Sequence, residues 1–291
     1  MAELLQLVFF GLVLGSILTL GAIGLSLTYG ILKFAHFAHG DFMTLGAYFA
    51  LSLVATAQLP ILVSIPIAAL ATLVVALIAD RLIYRRLRRT RPVILLIASV
   101  GVALILRSAV QIIWGPNVQV YAQGIQLPYV IPFGDGAVRI KPDHLIIMGG
   151  ALCLVTSLHF FLQHTRVGKA MRAMSDNPDL AQITGIDTEK VVLWTWGIGI
   201  ALAAVGGIFA GMDSQLHPNL GWQLLLPIFA AAILGGIGRP YGAIAGGMTI
   251  GLAQELSTMV IPPEYKPAVS FGIMVLVLIV RPRGIFAGSS T

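Results

Sequence analysis

Residues 61–79 read ILVSIPIAALATLVVALIA, nineteen residues without a charge. As an α-helix this run would be about 28 Å long at 1.5 Å per residue, enough to cross a hydrocarbon core of about 30 Å. It is continuously apolar, whereas a barrel strand would alternate apolar and polar positions over about ten residues, so a membrane β-barrel is excluded. Comparable runs occur on both sides of it, near 4–28, 41–57, 92–114, 144–163, 191–212, 223–237, 241–260 and 268–280. The sequence therefore predicts an all-α, polytopic integral membrane helical bundle of about eight to nine spans, forming one transmembrane domain over residues 1–291.

Composition leads the same way. The 291 residues are 57% hydrophobic and only 10% charged, with a mean hydropathy of +0.92, whereas soluble domains carry about 25% charged residues. The net charge of +6 would suit a nucleic-acid partner, but the basic residues sit where membrane topology puts them, and no nucleic acid is expected. Cys153 is the single cysteine, so no intrachain disulfide can form, and its place in an apolar run suggests a core filler. The first run is too long for a signal-peptide core and no Lys or Arg precedes it, which makes it a retained span.

Lys and Arg are retained in cytoplasmic loops. Arg81, Arg85, Arg86, Arg88, Arg89 and Arg91 fall between the third and fourth runs, and Arg166, Lys169, Arg172 and Lys190 between the fifth and sixth. With Lys33, Arg239, Arg281 and Arg283 on the same side, fourteen basic residues stand against Arg139, Lys141 and Lys266, with Arg107 left inside a span. The expected orientation has the N-terminus outside and the C-terminus inside. The longest outer segment, about 115–143, carries Pro116, Pro128, Pro132 and Pro142 and reads as an ordered or semi-extended loop. In the longest inner segment, 164–190, Asn177-Pro178 is a helix start and Gly185 a helix stop, which predicts a short helix between them.

An internal repeat is faintly visible when residues 4–114 are laid over 191–280 in opposite orientation, with the span 144–163 as the link. The second run follows the break His39-Gly40-Asp41, and the seventh follows Pro218-Asn219 and Gly221. Irregular backbone at membrane depth must line a cavity or be covered by protein, and matched interruptions in inverted halves point to a transport pathway. His36, His39, Gly40, Asp41, Pro218, Asn219 and Gly221 are accordingly the candidate pathway residues. His36, His39 and Asp41 lack a further ligand at metal-binding spacing, so no metal site is expected. Glycines four apart, at Gly11/Gly15, Gly207/Gly211, Gly242/Gly246 and Gly247/Gly251, read as close helix packing.

Arg107 and Glu255 are the charges well inside the predicted spans, too few for a carrier coupled to protons or sodium through several buried carboxylates. No phosphate-binding loop surrounds Gly168-Lys169, so any ATP used is hydrolysed by another chain. No catalytic constellation is found, and the protein is not expected to be an enzyme.

Several patterns together make the chain resemble the membrane subunits of bacterial ABC importers for branched-chain amino acids, of the LivH type. They are Tyr29-Gly30, Phe37-Ala38-His39-Gly40-Asp41 and Gly46-Ala47-Tyr48; the inner segment 168–181, GKAMRAMSDNPDLA, with Gly185-Ile186; and the late segments 232–238, AILGGIG, and 242–247, GAIAGG. The chain departs from the usual pattern at His36, at Gln254-Glu255 and at Arg239-Pro240-Tyr241. The resemblance implies a permease subunit of a binding-protein-dependent importer in the bacterial inner membrane, moving branched-chain or related amino acids. Its expected partners are a second, related permease (a heterodimer), two ATPase subunits that use ATP and Mg, a periplasmic or extracellular solute-binding protein, and membrane lipid. The chain itself is expected to bind no cofactor. The pathway residues would then border a route between two permeases. The inner segment would couple to the ATPase, with Leu180, Ile183 and Met174 as apolar anchors, Arg172, Asp176 and Asp179 at the rim, and Asn177, Pro178, Ala181 and Gly185 shaping the helix. The alternative class is a secondary carrier or channel acting without ATPase subunits, which would need no such docking segment.

Overall fold

The computed structural model describes residues 1–88, 90–121, 127–133, 136–282 and 284–285. Arg89 and Arg283, counted above toward the inner charge bias, and residues 122–126 of the outer segment lie outside the described residues. Each of the nine apolar runs lies on a helix. The order is α1 (Ala2–Leu32), α2 (His39–Ala55), α3 (Ile61–Ala79), a π turn (Asp80–Tyr84) with α4 (Arg85–Leu87), α5 (Pro92–Trp114), β1 (Tyr129–Phe133), β2 (Gly136–Ile140), α6 (Pro142–His164), α7 (Arg166–Asp176), α8 (Pro178–Ile183), α9 (Thr188–Asp213), α10 (Leu220–Gly235), α11 (Pro240–Ser257), a 3₁₀ turn (Pro263–Tyr265) and α12 (Lys266–Val280). Among the described residues, six helical stretches are long and apolar enough to cross a membrane: Ala2–Leu32, Ile61–Leu87, Pro92–Trp114, Pro142–His164, Thr188–Asp213 and Pro263–Val280.

The core is built around α1. It is apolar on all sides and buried from Gly15 through Thr28, as expected of a helix enclosed by others rather than facing lipid on one side. It packs along α11, α9 and α10, and α2 packs on α9, α3 and α10. The α1–α11 approach depends on missing side chains: a Cβ on Gly251 would overlap the Gly15 backbone. The apolar helices α3, α5 and α12 turn many large side chains outward, among them Leu70, Ile105 and Ile279. Cys153 corrects the core-filler expectation: it is exposed on α6, beside an apolar groove between α3, α6 and α9.

The outer segment contains an antiparallel hairpin, with Tyr129 opposite Ile140 and Phe133 opposite Gly136. Gln6 holds it to the start of α1, donating from Nε2 to the Arg139 carbonyl at 3.0 Å and accepting the Arg139 amide at 2.7 Å. Gln119 and Leu216 exchange backbone hydrogen bonds of 2.8 and 2.9 Å, joining this segment to the loop before α10.

The inner helices begin on side-chain caps. Thr165 Oγ1 accepts the Gly168 amide at 2.9 Å, Asn177 Oδ1 accepts the Leu180 amide at 3.0 Å, and Asp187 Oδ1 accepts the Lys190 amide at 3.1 Å. The Thr165 and Asn177 caps each contribute about 1 kcal/mol. The Lys190 amide and ammonium together hold the Asp187 carboxyl below the usual carboxylate range. Helix α8 covers the predicted short helix and is followed by Gly185 at φ 87, a left-handed backbone suited to glycine.

Candidate translocation site

The chain reverses twice at depth. After α1 ends, residues 33–38 climb back and α2 begins beside the middle of α1, where His39 Nε2 lies 3.0 Å from the Gly21 carbonyl. That point is about 16 Å from the end of α1 at 1.5 Å per residue. The loop 214–219 returns in the same way before α10. The two short helices meet start to start: a Cβ on Gly40 would overlap the Gly221 carbonyl, and one on Gly221 would overlap that of Gly40. Thr44 joins them, its hydroxyl accepting the Gly221 amide at 2.8 Å and lying 3.3 Å from the Gly40 carbonyl. Gly40, Asp41 and Gly221 are therefore brought together.

His36 and His39 take a different place. Both are fully buried, and their rings are 5.9 Å apart. His36 Nε2 lies 3.1 Å from the Tyr84 hydroxyl, and its ring meets Trp196 edge-on at 5.0 Å. These two histidines sit inside the packed core of the chain. His36 Nδ1, His39 Nδ1 and Trp196 Nε1 have no hydrogen-bond partner among the described residues. Pro218 is buried and Asn219 exposed at the start of α10.

Asp41, in the first turn of α2, is 1% exposed and accepts two hydrogen bonds from Arg107 of α5, Nε to Oδ1 at 3.0 Å and Nη2 to Oδ2 at 3.2 Å. The Arg107 guanidinium lies over the Trp222 ring at 4.7 Å. The other charge inside a predicted span, Glu255, is paired with Lys266 at 2.6 Å, near the end of α11. Sequence reasoning noted Arg107 but missed Trp222 and Thr44. Thr44 stands one helical turn after Gly40, a spacing that would have placed both on one face.

On the inner side, α7 and α8 form a bent pair. Leu180 and Ile183 are 53% and 81% exposed, while Met174 is 7% exposed and packs inward. The structure thus separates the three expected anchors, leaving two on the surface and one in the core. Ala181 is 3% exposed and also turned inward, so a bulky residue there would disturb the chain itself. Arg172, Asp176 and Asp179 are exposed, with Arg172 donating to Gln163 Oε1 at 2.9 Å. Lys33, at the end of α1, donates to the Ser175 carbonyl of α7 at 3.0 Å, connecting the inner segment to the first chain reversal.

A family described as the branched-chain amino acid transport system / permease component matches residues 7–278. The chain belongs to this family. It is similar to the high-affinity branched-chain amino acid transport system permease protein LivH of Escherichia coli (strain K12), 31% identical over 291 residues, covering 97% of this chain and 94% of the relative. It is also similar to the corresponding protein BraD of Pseudomonas aeruginosa, 32% identical over 293 residues, covering 97% and 95%. The ribose import permease protein RbsC of Escherichia coli is 26% identical over 156 residues, covering 51% of this chain and 48% of that one. A chain of PsaBC from Streptococcus pneumoniae in complex with Fab superposes with a TM-score of 0.54 at 12% identity, covering 97% and 93%, which shows a shared fold. The permease is thus a multi-pass membrane transport component that works with other subunits of an ABC transporter.

Proposed function

We propose that this permease carries branched-chain or related amino acids inward, as one of two related permease subunits driven by two ATPases that use ATP and Mg and fed by a solute-binding protein. The observation that carries the substrate class is that relatives named for branched-chain amino acid transport align over 97% of the chain. The fold supports the rest. Two helices that start at depth, α2 and α10, supply backbone breaks of the kind tolerated only where protein or a cavity covers them. A capped surface helix, α8, offers Leu180 and Ile183 to a soluble partner. A solvated basic loop drawn to anionic headgroups would need only charge.

In this reading Gly40, Asp41, Pro218, Asn219 and Gly221 border the route between permeases, with His36 and His39 supporting it from within. Residues 4–114 and 191–280 are inverted halves linked by 144–163. Equivalent neighbours support the repeat: α2 packs on α9 as α10 packs on α1, and α2 packs on α5 as α10 packs on α12. The N-terminus lies outside and the C-terminus inside the bacterial inner membrane, supported by the Lys and Arg bias.

The test is reconstitution with the partner subunits in liposomes. ATP-dependent uptake of labelled leucine, isoleucine and valine, requiring the binding protein, is the expected result. Uptake that proceeds without ATP or the ATPases would overturn the reading in favour of a lone carrier.

A further inference from the structure

Arg107 and Asp41 meet about 10 Å along α5 from its Trp114 end, at 1.5 Å per residue, where an unpaired charge is costly. Asp41 is 1% exposed, but the Arg107 side chain is 16% exposed. Its Nε and Nη2 are taken by Asp41, and Nη1 has no hydrogen-bond partner among the described residues. Trp222 lies over the guanidinium and is itself 46% exposed. Nearby, Ser108 and Gln111 lie on the exposed side of α5 and Gln223 on that of α10. Leu104, Ile105 and Ile112 are exposed on the same helix, so these polar residues form a patch set in an apolar surface, and polar residues within a span mark protein contacts or solute pathways.

We propose that this cluster engages the zwitterionic head of the amino acid in transit: Arg107 takes the α-carboxylate through its open edge, and Trp222 packs on the aliphatic side chain. The proposal rests on the amino-acid reading above. A guanidinium presents parallel donors that match a carboxylate, which a lysine ammonium does not. Asp41 is a positioning residue. Its two bonds fix the plane of the guanidinium, and its charge brings the pair to net zero. That neutrality matters for passage, because a site on a conduction route must hold the solute weakly enough to release it. The pair is also dipolar, which favours a neutral zwitterion over a solute with net charge.

The rival account is that the pair only clamps α2 to α5. The experiment compares complexes reconstituted with their partner subunits, measuring co-purification and uptake of radiolabelled leucine delivered by the binding protein. The double variant Asp41→Asn/Arg107→Gln keeps hydrogen-bonding groups between the helices but removes both charges. It should co-purify normally and lose uptake at least tenfold, and Arg107→Lys should transport better than the neutral double variant. Uptake by the neutral double variant within twofold of wild type overturns the proposal. If that variant does not assemble, Trp222→Ala decides. This surface change should assemble and reduce leucine uptake at least fivefold, and uptake within twofold of wild type overturns the proposal. A wild-type complex that moves no amino acid overturns the amino-acid reading as well, whereas a wild-type complex that transports alongside unaffected variants overturns only this site.

Discussion

Gly40 and Gly221 exclude each other's side chains: a Cβ on either would overlap the carbonyl of the other. The hydroxyl of Thr44 holds the Gly221 amide at 2.8 Å, which limits any retreat of α10. Alanine at either glycine is therefore expected to cost about 1–3 kcal/mol through overpacking, measured as a lower melting temperature of the solubilised protein. Gly101 is the control, since nothing lies within 4 Å of a Cβ placed there, and alanine should leave melting unchanged or raise it. Unchanged melting of Gly40→Ala would show that the two helix starts do not touch.

Leu180 and Ile183 are exposed apolar residues on α8, and docking to a soluble partner would bury them. Ile183→Asp is expected to lower uptake and ATPase stimulation together, at least tenfold. At 81% exposure its cost to the isolated permease should stay within about 0.5 kcal/mol. Full stimulation of the ATPases by the Ile183→Asp and Leu180→Asp complexes would remove α8 from the coupling path.

Orientation is checked with single cysteines on a Cys153→Ala background, a change at an exposed position. Asn117 and Lys169 are both exposed, and they lie in segments expected on opposite sides. An impermeant maleimide applied from outside should label Asn117→Cys and spare Lys169→Cys; the opposite pattern would invert the topology.

Arg88 donates to Asp80 at 2.7 Å and to Glu189 at 3.1 Å, tying the π turn to the start of α9. The two carboxylates differ in exposure, 4% for Asp80 and 52% for Glu189. Removing the buried partner leaves a largely buried guanidinium with only the solvent-screened Glu189 to balance it, whereas a screened surface pair contributes about 0–1 kcal/mol. Asp80→Asn should accordingly depress the melting temperature several times more than Glu189→Gln. Equal shifts would count against the buried pairing.

The span positions and the short helix after Asn177 were legible because they depend on local signals: run length, a capping side chain, and Pro and Gly punctuation. The hairpin 129–140 was not. Its strands are short and set among prolines, and it is held by Gln6 from the far end of the sequence. For the candidate site, the breaks near Gly40 and Gly221 could be read, but not that they touch, since their contact depends on the folding of α1 and α9 between them. Arg107 was visible as a charge in a span, yet its partners lie on two other helices. The inward turn of Met174 was legible in the helical spacing of Val167, Ala170, Met171 and Met174 on α7, whereas α8, with six residues, is too short for periodicity to place Ala181.

The burial of α1 has a consequence for biogenesis. Of the helices described it is translated first, yet its neighbours α9, α10 and α11 belong to the last part of the chain. Until they emerge, the sides of α1 that they will cover, with Thr19 against α11 and Thr28 against α9 in the finished fold, lack those partners. Assembly must therefore close over α1 late, through contacts distant in sequence that are slow to form. A product cut short before α9 would leave these hydroxyls uncovered in the bilayer and be a ready target for membrane proteases.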